Sequence, residues 1–525
     1  MAPKESSVDT NVVINAPEPP PRGWWEYAYL ARLNMGIVCL TFLCMLTPSY
    51  HQQSLTDSAS TNGYDSSLLN GLQALPRWLE FMEHPSSVWL GFVNALYWVG
   101  AATTTLAAAT VANRHGRKRG ILLGYICLVI GTIMQTASPN PTCFIIARLF
   151  TGASMGWMNN ATPVLITEVA YPAHRGIASA LYMTSYYIGS IVAAWVTFAT
   201  RSWDSSWTWR FPSILQFLMP TLALPGLLLV PESPRWMVSV GRVLEARRAL
   251  VDHHAGGDEA APWVDSELRR IQQAIAIEFE AEKDSTYAEL IRTPGNRHRL
   301  FITVTLGFYN QWAGNGPLSY YLSLVLQAVG VSKTSDQLLI SACLQIWNLF
   351  FALGAALSVD RMGRRKLFLL SAGIMLVSYI VMTGLNGSFE SSGSSPTGIA
   401  MVPFIFVYFA GYDIALTPLL TAYPCEIWPF RLRSRGLMVA WMSCIVAVIF
   451  NTFVNPIAMD AIGWKYYIIY VCLLISWFGI TFFWYPETRG LSLEDVALRF
   501  DGVGAVTQGA ELDENGVKAW AEYRE

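Results

Sequence analysis

Asn113-Arg-His-Gly-Arg-Lys-Arg119 is answered later in the chain by Asp360-Arg-Met-Gly-Arg-Arg-Lys366. A second phrase, Pro231-Glu-Ser-Pro-Arg235, is answered by Pro486-Glu-Thr-Arg-Gly490. The offsets agree: 363 − 116 = 247 between the central glycines and 486 − 231 = 255 between the prolines. Phrases that recur at one long offset mark an internal duplication. The repeated unit holds several hydrophobic runs. The duplication therefore describes a membrane protein of two halves, not a solenoid.

Composition points the same way. The 525 residues are 53% hydrophobic and 14% charged, against about 25% charged in an ordinary soluble domain. A formal net charge of −2 offers no basic face to nucleic acid. Most of the eight cysteines fall inside apolar runs, as Cys39, Cys127, Cys343 and Cys444 do. None has metal-ligand spacing or belongs to a disulfide framework, so they read as small apolar side chains. No metal, cofactor or nucleophile–base set is implied, and the chain does not read as an enzyme. The polar, proline-containing start lacks the basic patch and apolar stretch of a signal peptide.

A helix needs about 20 apolar residues to cross a bilayer. Runs of that kind lie near 88–111, 120–138, 143–167, 177–199 and 211–230. After a polar stretch they resume near 300–325, 338–358, 367–385, 399–423, 437–460 and 464–485. With a short first run at 34–47 the expectation is an all-α membrane protein of twelve transmembrane helices, six plus six. The expected divisions are a tail (1–33), a six-helix half (34–230), a linker (231–298), a second half (299–490) and a tail (491–525). Basic residues crowd alternate loops: Arg114, Arg117, Lys118 and Arg119, then Arg364, Arg365 and Lys366, then Arg431, Arg433 and Arg435. Such loops stay in the cytosol, which puts both termini and the linker there. Asn386-Gly-Ser388 then falls in an outer loop as a glycosylation candidate. Within the linker, 243–250 and 267–283 have helix-period apolar positions and predict amphipathic helices.

Taken together, the doubled phrases resemble the sugar porter family of the major facilitator superfamily. So does Arg148-Leu-Phe-Thr-Gly152 with Pro163 and Thr167-Glu-Val-Ala-Tyr-Pro-Ala-His-Arg-Gly176. The likeness covers roughly 60–497. Asn62-Gly-Tyr-Asp65, Gln311-Trp-Ala-Gly-Asn-Gly316 and Ala422-Tyr-Pro-Cys-Glu-Ile427 look closest to its fungal lactose permease-like and hexose transporter branch. The resemblance implies a monomeric, multi-pass transporter of the plasma membrane. It would move a mono- or disaccharide by alternating access, with a proton as co-substrate. A facilitative sugar or polyol uniporter is the alternative, and a non-transporting sugar sensor is a remoter one.

Residue roles follow from the same likeness. Arg117, Glu168, Arg175 and Glu232 in the first half would form gating salt bridges at the inner side. Asp360, Arg364, Arg365, Glu426, Arg433 and Glu487 would do so in the second. Asn113 departs from the family's acid. Asp65 and Arg148 match the proton-coupling pair, and an ionisable residue inside a membrane is a functional candidate by default. Sugar hydroxyls suit neutral amides, which both donate and accept. Asn310, Gln311, Asn315 and Asn348 are the substrate-binding candidates, with Asp413 where the tenth span of the family often has Glu. Gly314 and Gly316-Pro317 are expected to break the seventh span. Met183, Thr421 and Gly316 stand where the family has other residues, which implies a roomier or less polar site.

The first span is anomalous. Pro48-Ser-Tyr-His-Gln-Gln-Ser-Leu-Thr-Asp57 separates Met35–Thr47 from Ser58–Asp65, where the family runs on without interruption. Unsatisfied polar groups at that depth are costly. Three readings stand open: untranslated sequence carried into the gene model, a kinked and water-lined helix, or a defective transporter.

Overall fold

The computed structural model describes residues 57–170 and 175–501, except 219, 222–223, 225–226, 228–229, 284–286, 490–495 and 497–498. The side chains of 57–59, 106, 171–184, 262, 277–283, 356–357, 359–361, 395 and 430–431 also lie outside the description. The run 34–47, the interruption after it, Arg175, Met183, Asp360 and most of both tails are therefore not covered.

Every regular element among the described residues is a helix. The first half runs α1 Asp57–Leu72, α2 Pro76–Phe81, α3 Ser87–His115, α4 Arg117–Thr136, α5 Pro141–Val169, α6 Arg175–Thr200 and α7 Trp207–Ile214. The linker holds α8 Pro234–Ser239, α9 Val243–His254, α10 Pro262–Lys283 and α11 Glu289–Arg292. The second half opens with three pieces, α12 Pro294–Trp312, α13 Asn315–Tyr320 and α14 Leu322–Ala328. It continues with α15 Thr334–Met362, α16 Arg364–Ser392, α17 Ser395–Ile399, α18 Val402–Ile427, α19 Phe430–Ile462 and α20 Tyr466–Trp484.

Local sequence explains where these helices start. Asn140 accepts the Cys143 N–H at 2.9 Å and Pro141 follows at the first helical position. Thr293 accepts from Asn296 N–H at 3.1 Å ahead of α12, again with a proline next. Both are cap-then-proline starts, which satisfy an orphan donor and pre-set the backbone. Among the described residues, six segments are long and apolar enough to cross a membrane by length and composition. The last of them, Leu432–Trp484, runs through two helices.

Within the first half α1 packs on α6, and α5 packs on α3 and α4. Within the second, α18 and α20 pack on α16, and α12 on α19. Small residues let these backbones approach: a Cβ at Gly152 would run into the Tyr97 carbonyl. The main pairs that cross between the halves are α3 with α19 and α6 with α15, and α13 and α14 also touch α1. The halves also meet at the end poor in basic residues. There Gln73 Nε2 donates to Tyr320 O at 3.1 Å, Thr334 Oγ1 to Ala74 O at 3.2 Å and Ser87 Oγ to Asp460 Oδ2 at 3.0 Å. A buried cluster around Tyr64, Trp78 and Trp209 takes in Tyr321 and Leu338 from the other half.

The linker helices form their own small core around Trp236, Leu250, Val264 and Leu268. They dock on the helix ends: Trp236 Nε1 donates to Asn113 O at 2.8 Å, and His254 Nε2 lies 2.9 Å from Val169 O. The glycosylation candidate is a correction. Asn386 is 6% exposed and lies inside α16, which runs on to Ser392. A glycosylated asparagine belongs on a surface loop; Asn386 is a packed helical residue.

Candidate functional site

The expected residues fall into three groups. The first is the acid–base pair. Arg148 Nη1 on α5 meets Asp65 Oδ1 on α1 at 2.5 Å, with the side chains 3% and 2% exposed. Gln216, just past α7, donates its Nε2 to the same oxygen at 2.5 Å. The Arg148 guanidinium lies over the Tyr97 ring, 4.7 Å from its centroid, a cation–π contact. Tyr97 in turn donates to Asn62 Oδ1 at 2.7 Å. Asp65 Oδ2 and Arg148 Nε are buried with no partner among the described residues. Among the described residues the carboxylate is thus held through one oxygen. All of these groups belong to the first half. Gln216 was legible as a lone amide in the apolar run 211–230; Tyr97 left no signal of its kind.

The second group surrounds the break in the seventh run. Gly314 sits at φ 104°, a left-handed position that suits glycine, and ends α12. Tyr379 and Tyr408 donate to the freed carbonyls of Gly314 and Ala313 at 2.5 and 3.2 Å. Beside the break, Asn310 Nδ2 donates to Leu416 O at 3.1 Å and Gln311 Nε2 to Asn310 Oδ1 at 3.0 Å. Asn315 Nδ2 reaches the Tyr412 hydroxyl at 3.3 Å, and that hydroxyl donates to Asn310 O at 2.9 Å. Asn348 is buried on α15 and Asp413 on α18. Four buried acceptors on these helices have no partner among the described residues: Gln311 Oε1, Asn315 Oδ1, Asn348 Oδ1 and Asp413 Oδ2. Asn310 differs, since both ends of its amide are engaged. Asn451 is tied up as well, and Asn455 through its oxygen only, its Nδ2 having no partner among the described residues. Asn451 Nδ2 donates to Gln311 O at 2.7 Å, and Asn455 Oδ1 accepts from Tyr466 and Tyr470 at 2.8 and 2.7 Å.

The third group is the charged joints. Arg117 Nε meets Glu168 Oε2 at 3.1 Å. Glu232 accepts the Arg117 and Lys118 backbone N–H groups, each at 3.1 Å. The second half repeats the pattern. Arg364 Nη2 meets Glu426 Oε1 at 2.9 Å, and Glu487 accepts the Arg364 and Arg365 N–H groups at 2.8 and 3.2 Å. Thr488 adds a bond to Glu426 Oε2 at 2.5 Å. Arg433 is half-buried near the start of α19. In each of these contacts the partners come from different segments of one half. Arg175 and Asp360 fall on side chains outside the description.

A family profile for "Sugar (and other) transporter" matches residues 24–500. The chain belongs to that family of transporters. It is 30% identical over 447 residues to an MFS-type transporter, oryC, of Aspergillus oryzae, covering 83% of this chain and 82% of that one. It is 28% identical over 452 residues to the low-affinity glucose transporter HXT1 of Saccharomyces cerevisiae, covering 83% and 78%. The yeast galactose transporter is 28% identical over 446 residues, covering 83% and 74%. Among solved structures, the inward-open xylose transporter XylE of E. coli superposes with a TM-score of 0.70 at 22% identity, covering 88% of this chain and 99% of that one. The fold is that of the major facilitator superfamily. The family and these relatives are transporters, not enzymes.

Proposed function

We propose that this transporter moves a sugar across the plasma membrane together with a proton, by alternating access of one site between two six-span halves. The reading rests on four buried acceptors, Gln311 Oε1, Asn315 Oδ1, Asn348 Oδ1 and Asp413 Oδ2, that have no partner among the described residues. Buried polar atoms normally have partners. A neutral polyol brings hydroxyl donors to several acceptors at once, with no charge to neutralise. The named substrates of the relatives are glucose and galactose. A related fold is described as a proton:xylose symporter.

Asp65 is the proton carrier in this reading. Protonation removes its charge and loosens Arg148, and the half can then rearrange around bound sugar. The arginine–carboxylate joints at the base-rich ends are gating elements facing the cytosol, where both termini lie. Because each joint stays inside one half, the halves can rock as units with their helix ends held. The monomer is the working unit.

Uptake of labelled glucose, galactose, xylose, lactose and cellobiose in a transporter-null host, with and without a protonophore, tests the proposal. Uptake of at least one sugar that collapses with protonophore is expected. Uptake that survives it makes the chain a facilitative uniporter. No uptake of any of the five, with protein in the membrane, overturns the sugar reading.

A further inference from the structure

Tyr187 and Asp413 belong to opposite halves and meet between them. Tyr187 lies 12 residues into the 26-residue α6 (187 − 175), and Asp413 lies 11 residues into the 26-residue α18 (413 − 402). Both stand near mid-helix, away from the base-poor end where Gln73, Ser87 and Thr334 join the halves. Asp413 is fully buried and Tyr187 is 6% exposed. The Tyr187 hydroxyl donates to Asp413 Oδ1 and lies 3.4 Å from Thr417 Oγ1. Thr417 donates to the same Oδ1 at 2.9 Å. One oxygen of the carboxylate therefore takes two donors, while Oδ2 has no partner among the described residues.

We infer that Tyr187 is a specificity-determining residue: its phenol competes with substrate for Asp413 and limits that carboxylate to one sugar hydroxyl. The inference rests on the sugar-transport reading above. A phenol is more acidic than a sugar hydroxyl and is the stronger donor to a carboxylate. Hydrogen bonds to a buried charged group are among the strong ones. A sugar hydroxyl at the free Oδ2 gains one bond and leaves Tyr187 in place. A second, adjacent hydroxyl reaches Oδ1 only by displacing the stronger phenol donor, and that exchange gains nothing. The phenol, on the half opposite the carboxylate, thus limits Asp413 to one sugar hydroxyl.

The test is transport kinetics for whichever of the five labelled sugars the wild type takes up. Tyr187→Phe removes the competing donor and keeps the ring. KM should fall about tenfold, the worth of one such hydrogen bond. In an Asp413→Asn background the same change should leave KM where it was. Deoxy analogues lacking one of two adjacent hydroxyls should compete about as well as the parent sugar in the wild type and less well than it in Tyr187→Phe. A purely structural tyrosine would lower surface expression and maximal rate at constant KM. That result, or a KM that rises, overturns the inference while wild-type uptake stands. Should Tyr187→Phe fail to reach the membrane, Tyr187→Leu also lacks the donor and is read the same way. Absence of uptake in the wild type removes the transport reading and this inference with it.

Discussion

Glu232 and Glu487 stand 255 residues apart (487 − 232) and occupy the same place in the two halves. Each carboxylate accepts the first two backbone N–H groups of a long helix, at 3.1 and 3.1 Å in one half and 2.8 and 3.2 Å in the other. Those donors have no partner within their own helix, and the helix dipole favours negative charge there. Gly116 and Gly363, at φ 104° and 91°, turn the chain into these helices. A Cβ at Gly363 would stand 2.7 Å from the Glu487 carboxylate, so glycine is what admits the acid.

Removing either charge should loosen its half. Glu232→Gln and Glu487→Gln are each expected to cost about 1 kcal/mol, the usual worth of a helix cap. Thermal unfolding of the detergent-solubilised protein would register this as a lower melting temperature. Equal melting temperatures for wild type and both variants would show that the caps contribute nothing.

Asp65→Asn keeps the shape of the carboxyl but carries no exchangeable charge. Sugar-induced alkalinisation of the medium should disappear, while sugar exchange across a preloaded membrane persists. Gln216→Leu deletes a donor to the same oxygen and should shift the pH profile of uptake without abolishing it. Proton uptake unchanged in Asp65→Asn would take the coupling role away from this pair.

Gln311 Oε1 is buried without a partner among the described residues, whereas Asn310 spends its amide on Leu416 O and on Gln311 itself. Gln311→Ala is therefore expected to raise the sugar dissociation constant about tenfold at normal expression. Asn310→Ala should act on stability first, because it strands two buried partners. Binding measured on purified protein separates the two effects. An unaltered affinity in Gln311→Ala would remove that residue from the site.

Arg299, fully buried at the start of α12, has a partner from far along the chain. Its Nη2 meets Asp501 Oδ2 at 2.7 Å, its Nε donates to Ile427 O at 2.8 Å, and the Phe500 ring lies 4.6 Å from its guanidinium. Asp501→Ala would strand that charge. Loss of one partner of a buried pair costs roughly 3 kcal/mol. A clearly lower melting temperature and faster proteolysis after residue 490 are the expected signs. Wild-type behaviour in both assays would mean that the contact is incidental.

Much of this was legible beforehand because the bilayer constrains composition so tightly. Long apolar runs, basic loop ends and the doubled phrases needed only local reading. Gly314 foretold the break after Trp312 because few other residues tolerate that backbone. Asn386 was misread because the Asn-Gly-Ser triplet says nothing of how far α16 extends. Nothing in the neighbourhood of Asn451 and Asn455 announces their hydrogen bonds with Tyr466 and Tyr470. Gln216 was overlooked although a single amide in an apolar span is itself a signal.

By itself the sequence determined the helical class, the twofold duplication, the family and the residues able to bear charge or bind hydroxyls. Those follow from hydrophobic length, charge placement and side-chain chemistry, which are properties of short segments. Only the tertiary structure decided which of those residues meet. Gln216 and Arg148 share one oxygen of Asp65 across 151 and 83 residues of chain. Tyr187 reaches Asp413 across 226. A hydrogen bond is decided by a few tenths of an ångström between side chains. That distance is set by how whole helices pack, and no local pattern encodes it.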